Sequence, residues 1–173
     1  MSGPVTLETE RLILRPHQLS DFENLAAMWA NPDVATFIGG TPSTREESWS
    51  RLMRYFGHWP ALGFGFFVVF EKATMNFLGE VGLADFHREI EPSLDGTAEA
   101  GWVFVPKAWG KGYATEAVAA VLEWYQKTPT PRPLTCITDI RNLASQKVAY
   151  KCGFQEAARA KYKGGDIVVF RRG

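Results

Sequence analysis

Apolar positions along the chain switch between a period of two and a period near three and a half, and the switches divide it into elements. A short apolar run at 12–16, stopped by Pro16, predicts a first strand. Phe22, Leu25, Ala26 and Trp29 recur at helical spacing, which predicts a helix over 22–30 capped by Ser20–Asp21 and ended by Asn31–Pro32. Residues 39–42 read as loop. A second helix runs from a cap at Ser43 or Thr44 to about Trp59, with Trp49, Leu52, Met53 and Phe56 on one face and 60–63 as its breaker. The Phe- and Val-rich stretch 64–71 and the alternating stretch 77–86 predict an antiparallel pair around a turn at 73–76. After a polar loop at 87–96, a strand over 97–105 feeds a long helix from Lys111 or Gly112 to Lys127. Its inner stripe is Ala114, Ala117, Val118, Val121, Leu122 and Tyr125.

The prolines of 128–133 force a surface loop. A β-branched strand at 134–139 follows, then a helix over 143–151 capped by Asn142 and ended by Gly153. A hairpin of 154–163 with 166–171 turns around Gly164–Gly165. Hairpins and strand-helix-strand crossovers mix without internal repeat or linker. That pattern predicts one mixed α/β layer structure, a single domain over 1–173.

One junction carries candidate chemistry. Val103-Phe-Val-Pro106 runs into Trp109-Gly-Lys-Gly-Tyr-Ala-Thr-Glu-Ala117, an apolar strand, a glycine-containing turn and the open start of a helix. The first amides of a helix have no internal partner, and the helix dipole adds partial positive charge there. Glycine lets backbone approach a ligand closely. The unit therefore predicts an anion cradle for phosphate or pyrophosphate. It is not a Walker loop, because Lys111 is followed by Gly112, which has no hydroxyl for magnesium; nor is it a dinucleotide fingerprint, because Thr115 replaces the third glycine.

Composition narrows the partner. Apolar residues make up 46% and charged residues 22%, ordinary for a globular chain. Lys plus Arg equals Asp plus Glu at 19 each, so no global field favours nucleic acid or an anionic membrane, and a phosphate ligand needs a local grip. No apolar run reaches the length of a membrane span, and the first ten residues lack the apolar centre of a signal peptide, so a cytoplasmic protein is expected. Cys136 and Cys152 read as buried thiols, and His17, His58 and His87 lack ligand spacing, so no metal site is expected.

Three segments together resemble the GNAT superfamily of acyl-coenzyme A N-acyltransferases. The segment from Glu99 through Trp102, Trp109 and Gly112 to Ala117 is similar to the family's core motif. Asn142-Leu-Ala-Ser145 and Lys151-Cys-Gly-Phe154 are similar to its Asn-x-x-Ser helix start and closing Lys-x-Gly-Phe. Leu7-Glu-Thr-Glu-Arg-Leu-Ile-Leu-Arg-Pro16 resembles the first strand of the branch holding the RimJ and RimL ribosomal-protein N-terminal acetyltransferases. Trp109 stands where the family usually has Gln or Arg, a substitution common in that branch.

The resemblance implies a central, mostly antiparallel sheet of six to seven strands, splayed between strands 4 and 5 by a bulge in the motif strand, and flanked by about four helices. It implies acetyl-CoA as co-substrate and an amine acceptor, a peptide N-terminus or a small molecule, with a homodimer as an option. The cofactor set is Trp102, Val103, Phe104 and Val105 beside the pantetheine arm, Trp109, Gly110, Lys111, Gly112, Tyr113 and Ala114 at the pyrophosphate with Lys107 nearby, and Asn142 and Ser145 near the sulfur. For the general base the candidates are Glu99 first, Glu80 second and Asp85 third. The tyrosine that many members use as general acid is replaced by Ala149, and Tyr150 sits about 100° further round the helix. Ser145, Tyr113 or a water are the remaining candidates. Phe37, Trp49, Phe56, Trp59 and Phe64 fall in the part that forms the acceptor side of the family. The missing tyrosine keeps a second reading open, a module that binds acyl-CoA without turnover; a third is an unrelated phosphate-binding domain.

Overall fold

In a computed structural model describing residues 4–173, one eight-stranded sheet runs through the molecule. Its strands are β1 (Leu7–Glu8), β2 (Leu12–Pro16), β3 (Phe66–Glu71), β4 (Phe77–Ala84), β5 (Ala98–Phe104), β6 (Leu134–Asp139), β7 (Gln155–Tyr162) and β8 (Gly165–Arg172). They lie in the order β1-β2-β3-β4-β5-β6-β8-β7, antiparallel everywhere except between β5 and β6. The helices are α1 (Phe22–Trp29), α2 (Pro32–Ala35), α3 (Arg45–Leu62), α4 (Tyr113–Gln126) and α5 (Leu143–Lys151). The sheet thus has eight strands where six to seven were expected, because the opening stretch folds back on itself as the two-residue β1. Five helices stand where about four were expected, because Asn31–Pro32 both ends α1 and starts α2: the Asn31 side chain accepts from the Asp33 amide.

Side-chain alternation puts different chemistry on the two sheet faces. Leu12, Leu14, Phe67, Val69, Val81, Leu83, Ala100, Phe104, Cys136, Val168 and Phe170 share one face, under α4 and α5, in the main core. Phe66, Ala84 and Val103 share the other, packed against Leu25, Met28 and Trp29 of α1, Val34 of α2, and Leu52 and Tyr55 of α3. Glu80 and Val103 are cross-strand partners, as are Ala84 and Glu99, so both acidic side chains project from this second face.

Several local details depart from expectation for identifiable reasons. α3 continues through Pro60 to Leu62 and stops only at Gly63, which adopts φ +77. The final turn of that helix is fastened by packing: Trp59 meets Phe67 at 5.0 Å and Trp124 of α4 at 5.8 Å. Thr44, not Ser43, caps α3, through a reciprocal bond pair with Glu47. Asp21 does not cap α1. Its carboxylate instead accepts from the Gln18 amide and from both terminal nitrogens of Arg15. The closing hairpin turns on Lys163 and Gly164, both at positive φ, with Gly165 already in β8. β5 pairs with β4 in unbroken register from Glu99 to Phe104; the irregularity expected there lies instead between β3 and β4, where Leu78 is skipped.

α4 is tied to the opposite end of the chain. Glu116 in its first turn accepts from the Thr9 hydroxyl (2.6 Å), the Arg11 amide (2.9 Å) and Arg11 Nε (2.7 Å). Burial opposes ionisation of Glu116, but these bonds outweigh it and hold the carboxyl below its usual range. Its contribution to stability is therefore complete above the ordinary value of 4.5 and is lost as pH falls through the lower folded value. Glu116→Gln is expected to destabilise the fold by ~1–3 kcal/mol at neutral pH. Thermal melts of both proteins should converge as the pH falls below that lowered folded value, and a gap that is independent of pH would contradict this role.

Candidate active site

The site begins where the sheet stops being a sheet. β5 and β6 pair only at Ala98 with Leu134 and Glu99 with Thr135, and then part, so the split lies between β5 and β6 in chain order. The Val105 amide points to Leu78 of β4, whereas the Ala98 amide points to Pro133, on the β6 side. By alternation, the backbone groups of Ala100, Trp102 and Phe104 face β6, and beyond Ala100 no strand is there to meet them. The Phe104 carbonyl is taken by the Trp109 indole N–H at 2.9 Å. Trp109 therefore adds no charge but closes the turn, with half its surface still exposed (51%).

Past that turn the chain enters α4. Gly110 (φ +72) and Gly112 (φ +79) both take left-handed backbone that side chains disfavour, and Gly112 stands at the N-cap without a side-chain cap. Among the described residues, the amides of 110–115 donate to no protein acceptor, while the Glu116 amide resumes the ladder to the Gly112 carbonyl. Six donors in succession are thus open at a helix start. Arg11 braces the turn from behind, donating to the Lys111 carbonyl at 2.8 Å and stacking on the Tyr113 ring at 4.4 Å. The Tyr113 hydroxyl donates to Glu71, so it is engaged away from the split. Lys111 and Lys107 are exposed near the turn.

The three acidic candidates have different surroundings. Glu80 is fully buried, and its carboxylate receives the Tyr55 hydroxyl (2.6 Å), the Trp29 indole N–H (3.0 Å) and His17 Nε2 (3.2 Å). Burial, and then the Glu80 charge, push the Tyr55 phenol well above its ordinary value, so it stays a donor. Glu99 lies at the vertex of the split, largely buried, with Arg88 Nε at 3.0 and 2.8 Å from its two oxygens. Arg88 also donates to the Tyr162 hydroxyl and packs over the Phe86 ring. Asp85 is turned to Arg132, at 2.8 Å, outside the split. A cleft of about 570 Å³ opens on this face beside the end of β5, lined by Asn24, Met28, Asn31, Phe77, Val105 and Lys107.

Across the split, Asn142 caps α5 by accepting the Ser145 amide at 3.1 Å. Both are half-buried. Ala149 is fully buried in the main core, and Tyr150 faces outward, edge-on to Phe170. Among the predicted acceptor-side aromatics, Phe56 packs against the α1–α3 cluster and Phe37 lies beneath the Arg141 guanidinium. Trp49 sits edge-on to Phe22, while Trp59 and Phe64 belong to the α4 side.

The fold thus gathers the turn at 109–114, the strand at 102–105, Asn142, Ser145 and Glu99 around one split, with Glu80 a few rungs away. Arg88 and Arg11 are the additions that sequence reasoning missed. Arg88 sits in a polar loop without periodicity, and nothing local marks it. Arg11 belongs to the opening motif, between Glu10 and the apolar run that starts at Leu12, and its place there carries no signal of a partner in α4.

Residues 11–155 match the family model described as the acetyltransferase (GNAT) domain. The N-acetyltransferase p20 of Bacillus licheniformis, itself uncharacterized, is 27% identical over 172 residues, covering 95% of this chain and 94% of that protein. An acetyltransferase structure from Agrobacterium tumefaciens superposes with a TM-score of 0.84 at 26% identity, over 100% of this chain and 96% of that one. A ribosomal L7/L12 α-N-protein acetyltransferase, RimL, solved with coenzyme A, shares the fold at a TM-score of 0.80 and 18% identity, with 97% of each chain covered. Family match, sheet order and open helix start agree, and the chain belongs to the GNAT acetyltransferase family.

Proposed function

We propose that this protein transfers an acetyl group from acetyl-CoA to a primary amine by direct attack in a ternary complex. The observation that carries this reading is the run of six unpartnered amides at 110–115, set beside a strand pair that parts after Glu99 and Thr135. Such a run at a helix start suits a pyrophosphate, and the open edge of β5 suits an extended amide-bearing arm laid along it as a further strand. The RimL neighbour solved with coenzyme A supports the same ligand here. Cys136 and Cys152 are free thiols, which fits the reducing cytoplasm.

Acetyl-CoA would supply an activated acyl carbon and a good leaving group. The chain supplies the rest. The amides of 110–114 with Lys111 hold the diphosphate; the Trp102 amide, left without a strand partner, is placed to polarise a carbonyl lying along β5. Asn142 orients the arm from the far side of the split while its carbonyl oxygen caps α5. Glu99 is the base of choice, because it lies at the vertex where the arm must end. Arg88 keeps it paired in the resting site, and an incoming amine exchanges for that partner. Glu80 suits the role less: Tyr55, Trp29 and His17 already occupy it, with no surface exposed to an amine. It is a structural anchor for α1 and α3 on the sheet. Ser145 and Asn142 contribute position more than proton transfer.

Ala149 favours one alternative, a module that binds acyl-CoA without turnover, since the family's usual acid is missing. Turnover separates the two readings. Thiol release from acetyl-CoA, followed across α-amino peptides, polyamines, amino acids and aminoglycosides, should rise with at least one amine class. Silence across all of them with intact coenzyme A binding would support the sensor instead. Glu99→Gln should lower kcat by ~10²–10⁴ while retaining coenzyme A affinity. Glu80→Ala should act differently, costing about 3 kcal/mol or more in chemical denaturation, because three buried donors lose their acceptor. Gly112→Ala places a Cβ 3.4 Å from Arg11 and forces a strained φ, so coenzyme A affinity by calorimetry should drop about tenfold or more. Full affinity in a folded Gly112→Ala protein would remove the cradle from this account.

A further inference from the structure

The rim of the α1–α3 face carries an imbalance that the chemistry above does not use. Four arginines line it: Arg51 and Arg54 on α3, Arg88 on the loop before β5, and Arg141 at the corner between β6 and α5. Two of them are neutralised at short range, Arg88 by Glu99 and Arg141 by Asp139, each at 2.8 Å. Among the described residues, neither Arg51 nor Arg54 pairs with a carboxylate. Standing three residues apart on one helix, they share a face.

Arg54 points toward the vertex of the split, and Arg51 toward Trp29 beside it on the same face. Arg54 lies over the Phe86 ring, with its carbon 5.2 Å from the centroid, and Arg88 covers the same ring at 4.7 Å while holding Glu99. Only one aromatic ring therefore separates Arg54 from the partner of the proposed base. Arg51 stacks on Trp29 at 3.6 Å and donates weakly to the Ser43 hydroxyl at 3.3 Å. Burial pushes the Arg51 pKa down, and the electrostatic influence of Tyr55 and Glu80 restores only part of it. Beside them, His58 is buried against Phe86 with its Nδ1 unpartnered. A partly desolvated guanidinium without an anion is costly to maintain, and an arriving carboxylate would repay it with charge-assisted bonds. These residues lie across the sheet from the start of α4, so the coenzyme's phosphates do not meet them.

We propose that the acceptor carries a carboxylate close to its primary amine, and that Arg54 and Arg51 receive that carboxylate while the amine faces Glu99. The inference rests on the transferase reading and narrows its acceptor to amino acids or acidic peptide termini. Arg51 and Arg54 are then specificity residues, and they act through binding of the acceptor.

Matched acceptor pairs test it. Free glutamate and aspartate are compared with their α,ω-diamides, and peptides beginning Glu or Asp with those beginning Gln or Asn. In the unaltered protein the carboxylate member of at least one pair is expected to show roughly 10- to 100-fold higher kcat/KM. Which pair responds separates a free amino acid from a peptide terminus. Arg54→Gln, which alters an exposed side chain, and Arg51→Gln should each collapse that ratio mainly through KM. Calorimetry of the same ligands on the coenzyme A-loaded protein gives a readout independent of turnover, in which carboxylate binding should weaken in both variants and with added salt. Turnover that favours the neutral members, or ratios unmoved by both substitutions, overturns the proposal and leaves the transferase standing. Carboxylate binding without acetylation of any amine would retain the anion site and remove the transferase; binding of neither ligand class would overturn the anion site as well.

Discussion

The structure depends on a parallel strand pair that ends after two rungs. Backbone amides and carbonyls inside a protein must find partners, so a strand whose neighbour leaves is a local debt in hydrogen bonds. β5 meets that demand on one edge only, through unbroken register with β4. On the other edge Trp109 takes the Phe104 carbonyl, and the groups of Trp102 stay available. β6 is held in its diverging course by β8, with six paired residues, and by α5, which starts immediately beyond it. The split is thus a rigid consequence of two well-formed half-sheets that share only a short seam.

Both ends of that seam are reinforced by charge. At the open end, Glu116 and Arg11 join α4 to the β1–β2 turn, so the helix start with its free amides is fixed from outside the sequence that forms it. At the closed end, Arg88 brings the β4–β5 loop down on Glu99, while Ile90 and Leu94 of that loop pack on Ile167 and Val169. The α4 face of the sheet is almost wholly apolar and serves as core. The opposite face holds the buried carboxylates of Glu80 and Glu99, the buried histidines His17 and His58 and the arginines of the rim, and a charge-neutral chain thereby gains a locally polar chamber beside an apolar wall.

The two carboxylates show how one face assigns different tasks to the same side-chain type. Glu80 has three donors, no exposed surface and neighbours from β2, α1 and α3, the surroundings of a structural anchor. Glu99, four rungs along the same face, has one paired cation and a position at the seam's end. Their separation in the fold is roughly 13 Å along the strands, so the two stand in separate surroundings.

Much of this was determined by the amino-acid sequence. Periodicity marked every long strand and helix, since burial of one stripe or one face is a local, repeating demand; the glycines around Lys111 marked the open helix start for the same reason, as positive φ belongs to single residues. Asn142 declared its cap, and Gly153 its stop. Tertiary structure decided what depends on contacts distant in the chain. Pro60 stays helical because Trp59 is clamped by Phe67 and Trp124; Asp21 abandons a cap for Arg15. Which acidic residue is walled in and which faces the split follows from Trp29, Tyr55 and Arg88, residues whose spacing from Glu80 and Glu99 carries no periodic signal. Pairing across such distances is set by how the sheet is ordered, and strand order is a property of the whole packed chain.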